Sequence, residues 1–225
     1  MNKKYILILA GLLILLSGCS VNHRTKADYY PLMYSQRPLT ILILPPENYS
    51  TAPEAKEYFM STLSETSSQT GYYILPLEVT TSFLKSEGLY DSEIISESVL
   101  PQFKEYFGAD AVLITKITEW NKDYSGLSGN VAVSLEFYLK STTTSEVIWN
   151  SQSRVEMDTS SDSDNFLGQL IETAIQTATT DYVPIAKMAS TNAYETMPLG
   201  KYHPRYNLDQ EDDMDELLKK GNKKY

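Results

Sequence analysis

In the stretch VAVSLEFYLKS, residues Val131, Val133, Leu135, Phe137 and Leu139 recur at every second position. A period of two places all five side chains on one side of an extended chain and leaves Ser134, Glu136, Tyr138 and Lys140 on the other. This pattern marks an antiparallel strand covered on one face only. The turn-rich TTTSE that follows leads into VIWNSQSRVEM, so residues 131–141 and 147–157 are expected to form a hairpin. Upstream, ADAVLITKITEW at 109–120 begins as a buried strand and then alternates. NKDYSGLSGN between it and the hairpin is expected to be a loop.

The first part of the chain has a different rhythm. LTILILPP at 39–46 is a continuous apolar run ended by two prolines, the signature of a buried strand. TAPE at 51–54 has the spacing of a capping box, and Ala55, Phe59 and Leu63 then give a helix one apolar stripe. Gly71 is expected to close that helix, and YYILPL at 72–77 to form a second strand. Strand, helix and strand make a βαβ unit with a right-handed crossover. Further helices are expected at about 78–86, 100–108 and 165–180, with a second helical piece after Pro184. The expected fold is α/β: a single domain in which a βαβ unit and an antiparallel hairpin share one mixed sheet with helices packed on it.

The amino terminus has its own logic. Lys3 and Lys4 precede an apolar stretch from Tyr5 to Leu16 that is too short to span a bilayer, which needs about 20 residues. It ends in Leu16-Ser17-Gly18-Cys19, which resembles a bacterial lipobox and contains the chain's single cysteine. Residues 1–18 are expected to be a lipoprotein signal peptide cleaved between Gly18 and Cys19. Cys19 would carry the acyl chains, palmitate among them. An ordinary signal peptide with an incidental cysteine is the alternative. The mature chain loses the two signal lysines, so 19 basic residues become 17 against 29 acidic ones, a net of −12. Such a balance argues against a nucleic-acid partner and against electrostatic membrane binding. Ser20 instead of Asp after the cysteine points to the outer membrane of a Gram-negative cell, periplasmic face or cell surface.

Residues 19–38 are expected to be a lipidated tether that becomes ordered near Tyr29–Tyr34, 39–200 the periplasmic domain and 201–225 a charged tail, either a short helix or solvated. Tyr29, Tyr30 and Tyr34 gather at the end of the tether. Such aromatics more often pack on their own domain. The alternative is that they join Tyr138 of the hairpin in docking a second protein.

Catalytic and metal-binding patterns are sparse. GLSGN at 126–130 lacks the last glycine of a nucleophile elbow, and His203 is the one histidine near the domain. DTSSDSDN at 158–165 does not fit a calcium-loop register, and one cysteine with two histidines is a poor zinc set. PPENYST precedes a helix but lacks the glycine that would admit a phosphate. No cofactor, no metal and no enzymatic activity are expected.

Taken together, LTILILPPENYST, AKEYF, TGYYILPLEVTTSFLKSEGL, FGADAVLITKITEW, VIWNS and the closing PLGKYHPRY resemble the outer-membrane lipoprotein family that includes a neisserial vaccine-candidate antigen. Lys201 stands where that family commonly has proline. The resemblance implies a fold similar to the amino-terminal domain of TolB and the periplasmic domain of CsgG-type lipoproteins. It implies as partners a CsgG-like lipoprotein and a second small lipoprotein, and is compatible with homo-oligomers. It carries over no catalytic residue. The implied function is that of a lipid-anchored accessory or assembly component. The alternative is a periplasmic binding protein for a small envelope ligand or glycan.

Overall fold

The computed structural model describes residues 23–88, 97–125, 128–158 and 182–224. Strand β1 (Thr40–Ile43) lies between β3 (Tyr73–Ile74) and β4 (Ala111–Ser125), parallel to both. β4, β5 (Ser128–Ser141) and β6 (Val147–Asp158) form a long antiparallel meander. β2 (Glu47–Asn48) resumes the line of β1 beyond the two prolines and pairs with β4 at Lys116 and Ile117. β7 (Asn222–Lys224) runs parallel to β6, giving the order β3-β1-β4-β5-β6-β7.

Helices cover this sheet unequally. On one face α3 (Ala55–Ser68) and α6 (Tyr182–Tyr194) bury Phe59, Leu63, Ile185 and Ala189 against Ile41, Ile43, Leu113 and the whole apolar row of β5. Phe137 lies at the centre of that layer, its ring 5.1 Å from Tyr194 and 6.2 Å from Trp149. On the other face α4 (Leu77–Ser86) and α5 (Leu100–Phe107) bury Leu84, Leu100 and Phe103 against Leu42, Leu44 and Val112. β1 is therefore apolar throughout because both of its faces are covered, whereas β5 alternates because, among the described residues, no helix covers its other face. A β-bulge in β4 between Ile117 and Glu119 shifts the alternation, so that Ile117 and Trp120 both point into the core.

Several sequence expectations are corrected. The helix from Ala55 has no side-chain cap, and the TAPE box is not formed. Asn48 and Ser50 instead tie the turn together, with Asn48 Nδ2 donating to the Ala52 carbonyl at 2.7 Å. The capping box of the described chain is Thr25 with Asp28, opening the short helix α1 (Lys26–Tyr29). The expected loop at 121–130 is mostly strand, since β4 runs to Ser125 and β5 starts at Ser128. YYILPL is strand only at Tyr73 and Ile74. The helix expected at 165–180 and the acidic loop before it from Thr159 lie outside the described residues.

Both termini differ most from expectation. The tether expected at residues 19–38 is folded from Thr25 onward, through α1 and α2 (Pro31–Gln36), with Lys26, Tyr30 and Met33 buried. The tail expected at 201–225 as a short helix or solvated packs as well: Asp209 is fully buried, and the short helix is α7 (Met214–Gly221), with Met214 fully buried at its start. The two segments hold each other. Lys26 N donates to Asp212 O, Ala27 N to Gln210 O and Met214 N to Arg24 O, and Thr25 bridges Asp213. Partners so far apart in sequence leave no local pattern from which to read the contact.

Candidate functional site

Among the described residues, the part of the sheet that no helix covers is the outer face of β4, β5 and β6. Cross-strand register arranges it in rows: Tyr138 and Asn150, level with Ile114 at the edge of the α4–α5 layer; Lys116, Glu136 and Gln152; Glu119, Ser134 and Arg154. Asn150, Gln152 and Arg154 are exposed, and Ser134, Glu136, Tyr138 and Lys140 are half-buried. At about 3.4 Å per residue these rows run about 14 Å along β5 and β6.

Two polar clusters order its side chains. Lys116 Nζ lies 5.7 Å from the Tyr138 ring centre, 5.4 Å from that of Tyr49 and 3.5 Å from the Glu47 carboxylate. The Tyr49 hydroxyl donates to Glu47 at 3.0 Å and the Tyr138 hydroxyl to Glu136 at 2.9 Å. Burial, followed by the Glu136 carboxylate, raises the Tyr138 pKa, so this hydroxyl stays a donor. Farther along, Arg154 grips Glu119 with two nitrogens, at 2.7 and 3.1 Å, and Glu156 with a third at 2.5 Å. Those two carboxylates hold the guanidinium charged. Tyr49, Lys116, Tyr138 and Arg154 are thus pre-set by neighbours, which reduces the entropy they lose on binding a partner.

The tyrosines singled out in the sequence do not come together. Tyr30 is buried in the same apolar layer as Phe137, and its hydroxyl donates to the Asn150 carbonyl at 2.9 Å. Tyr138 is the next residue along β5 and points to the opposite face. Tyr29 is half-buried under Arg24, 4.8 Å away. Tyr34 is half-buried beside Tyr72 and Tyr206. Tyr29, Tyr30, Tyr34 and Tyr138 therefore share no surface, and Tyr138 instead has Lys116 and, through it, Tyr49 beside it, with Arg154 farther along the same face. Sequence reasoning missed these three because Tyr49 and Lys116 meet through β2, and Arg154 meets Glu119 across two strand pairings. Gly18 and Cys19 lie outside the described residues.

Other features carry less chemistry. His203 Nδ1 accepts from Arg205 N at 3.0 Å and so serves its own loop. Among the described residues no three His, Cys, Asp or Glu side chains converge as a metal site, and no helix is long and apolar enough to cross a membrane. A cleft of about 340 Å³ lies between α4 and α5, lined by Phe83, Glu87, Val99, Gln102, Phe103 and Tyr106.

Comparison with known proteins adds a lineage. The family described as "Putative lipoprotein GNA1162-like" matches residues 27–201. The curated "Putative lipoprotein NMB1124/NMB1162" of Neisseria meningitidis serogroup B is 27% identical over 173 residues, covering 77% of this chain and 80% of its own. The crystal structure of lipoprotein GNA1162 from Neisseria meningitidis aligns with a TM-score of 0.52 at 24% identity, covering 62% of this chain and 96% of that one. The C-terminal domain of LpoB from Escherichia coli aligns with a TM-score of 0.40 at 14% identity, over 57% of this chain and 96% of that one.

Proposed function

The chain belongs to the GNA1162-like lipoprotein family, and from that premise we propose that it is a non-enzymatic accessory or assembly component of an outer-membrane lipoprotein complex, anchored through acylated Cys19. The observation that carries this reading is the uncovered β4–β5–β6 face. It is mostly polar, carries Tyr138 in the row nearest the α4–α5 layer, and holds Tyr138, Lys116 and Arg154 in place before any partner arrives. That composition suits a non-obligate protein interface. A CsgG-like lipoprotein is the partner suggested by the sequence resemblance. The experiment is a Tyr138→Ala, Arg154→Ala variant, first shown by circular dichroism to be folded, then used to recover envelope lipoproteins beside the wild type. Loss of a lipoprotein recovered with the wild type supports the reading; unchanged recovery refutes this face as the interface.

A second reading rests on the cleft between α4 and α5. Its volume of about 340 Å³ lies at the lower end of the roughly 300–1,000 Å³ of small-molecule pockets. In this reading the protein binds a small envelope ligand or glycan there, and Tyr106→Glu, at an exposed lining residue, abolishes binding while the sheet-face variant retains it.

A further inference from the structure

We infer that the domain sits flush against its own membrane, with the clasp between residues 23–28 and 209–216 facing the bilayer, and that the surface it fits is a zwitterionic one. The inference rests on acylation of Cys19 as proposed above.

The first observation is the length of the leash. Three residues, Ser20, Val21 and Asn22, separate Cys19 from His23, where the described structure begins. The four Cα steps from Cys19 to His23 span at most about 14 Å. The second observation is that the chain beyond them is not slack. His23 Nδ1 lies 2.7 Å from Asp213. The Thr25–Asp28 capping box starts α1, and backbone hydrogen bonds tie Lys26 and Ala27 to Asp212 and Gln210. Lys26 then seals the clasp from inside, its Nζ donating to Glu195 O at 3.0 Å and Met197 O at 3.3 Å and lying 3.6 Å from buried Asp209. No part of residues 23–38 can lengthen the leash without breaking these contacts.

The acylated residue belongs at the boundary between hydrocarbon and headgroups, a headgroup layer about 5–7 Å thick. His23 is then within about 8 Å of the outer edge of the bilayer, roughly one Debye length at physiological salt. The clasp that must approach it is acidic. Asp209 to Glu216 contains six acidic residues and no basic one, and residues 23–28 add Asp28 against exposed Arg24 and buried Lys26, so the clasp is net acidic, with Asp28, Glu211, Asp215 and Glu216 exposed. An anionic leaflet repels this face, whereas a zwitterionic one lets it close.

The test is neutron reflectometry on the mature chain, coupled through its sole thiol, Cys19, to a maleimide-bearing lipid in a supported phosphatidylcholine bilayer. Chemical coupling makes the result independent of whether cells acylate Cys19, which the mass of the amino-terminal peptide reports separately. The native leash is expected to hold the domain edge within about 14 Å of the anchoring plane. Inserting twenty Gly/Ser residues between Asn22 and His23 is expected to move the protein layer outward by roughly 10–20 Å, as a coil of that length allows. Doping the bilayer with phosphatidylglycerol is expected to widen the native gap to its limit, and added salt to narrow it again. Identical profiles for the native and lengthened leash, a native layer beyond the reach of the leash, or a gap indifferent to phosphatidylglycerol would overturn the inference.

Discussion

Replacing Lys26 with methionine tests whether the two termini are structurally one unit. The Lys26 side chain is 3% exposed and Asp209 0%. The ammonium satisfies the carbonyls of Glu195 and Met197 and lies 3.6 Å from Asp209, whose Oδ2 also accepts from Leu199 N, at 2.9 Å, and whose carboxylate faces the Tyr34 hydroxyl. Methionine fills most of the stem volume, so the cost is chiefly the orphaned carboxylate and carbonyls. Removing one partner of a buried ion pair costs about 3–5 kcal/mol. At a urea m-value of roughly 2–3 kcal/mol/M the midpoint falls by about 1–2.5 M. Fluorescence of buried Trp120 and Trp149 reports the transition. Burial lowers the Lys26 pKa against the opposing pull of Asp209 and Asp212. Below the unfolded value of about 10.4 the unfolded chain therefore binds more protons at this site, and stability rises with pH there. The gap between wild type and Lys26→Met should widen through that alkaline window. In Lys26→Met/Asp209→Asn, asparagine keeps an acceptor for Leu199 N without the charge, so most of the loss should return. A single-variant cost below about 1 kcal/mol, or a double variant no better than the single, would refute the buried-pair account.

Gly71 has φ +79, and a Cβ there would meet the His203 side chain and lie 2.6 Å from His203 N; Gly71→Ala should thus cost well over the ~1 kcal/mol of a left-handed alanine in urea unfolding, and a wild-type midpoint would contradict the close approach. For Asp110 burial alone would raise the pKa, but Lys104 and the N–H groups of Leu39 and Thr40 hold it below the usual carboxylate range. Its contribution is present above the unfolded value of about 3.9 and lost as pH falls through the depressed one. Asp110→Asn should then be less stable than wild type at neutral pH and converge with it in acid; a gap that stays constant in an acid titration would rule this out. Cys19→Ala should leave the protein as unprocessed precursor or soluble material on membrane fractionation, and normal acylation and fractionation would exclude the lipobox.

How far the sequence could be read depends on the range of each interaction. The alternation from Val131 to Leu139 and the unbroken run at Ile41–Leu44 are local signals of how many faces of a strand are covered, and the sheet honours both. Pro101 and Gly108 bound α5 as their backbone preferences require. A one-residue bulge at Thr118 was not legible, because an alternation that changes phase looks like noise until the partner strand is known. Gly71 was legible as a turn but not for its reason: its backbone lies so close to the closing segment that a Cβ on Gly200 would be 2.5 Å from the Gly71 carbonyl carbon. The clasp was hidden for the same cause. A lysine among polar residues and an aspartate in an acidic run both read as solvated until folding buries them together. The candidate site was half legible, since Tyr138 follows from the strand period, whereas Tyr49, Lys116 and Arg154 reach it only through tertiary pairing.

The most direct measurement of the central claim, that the uncovered sheet face docks a partner, is site-specific photocrosslinking in intact cells. A benzophenone amino acid at exposed Gln152, in the middle row of that face, is compared with one at exposed Ser64 on α3, across the sheet. The account predicts a discrete crosslinked product from Gln152, identified by mass spectrometry as a second lipoprotein, and none from Ser64. A product from Ser64 with none from Gln152 would contradict it.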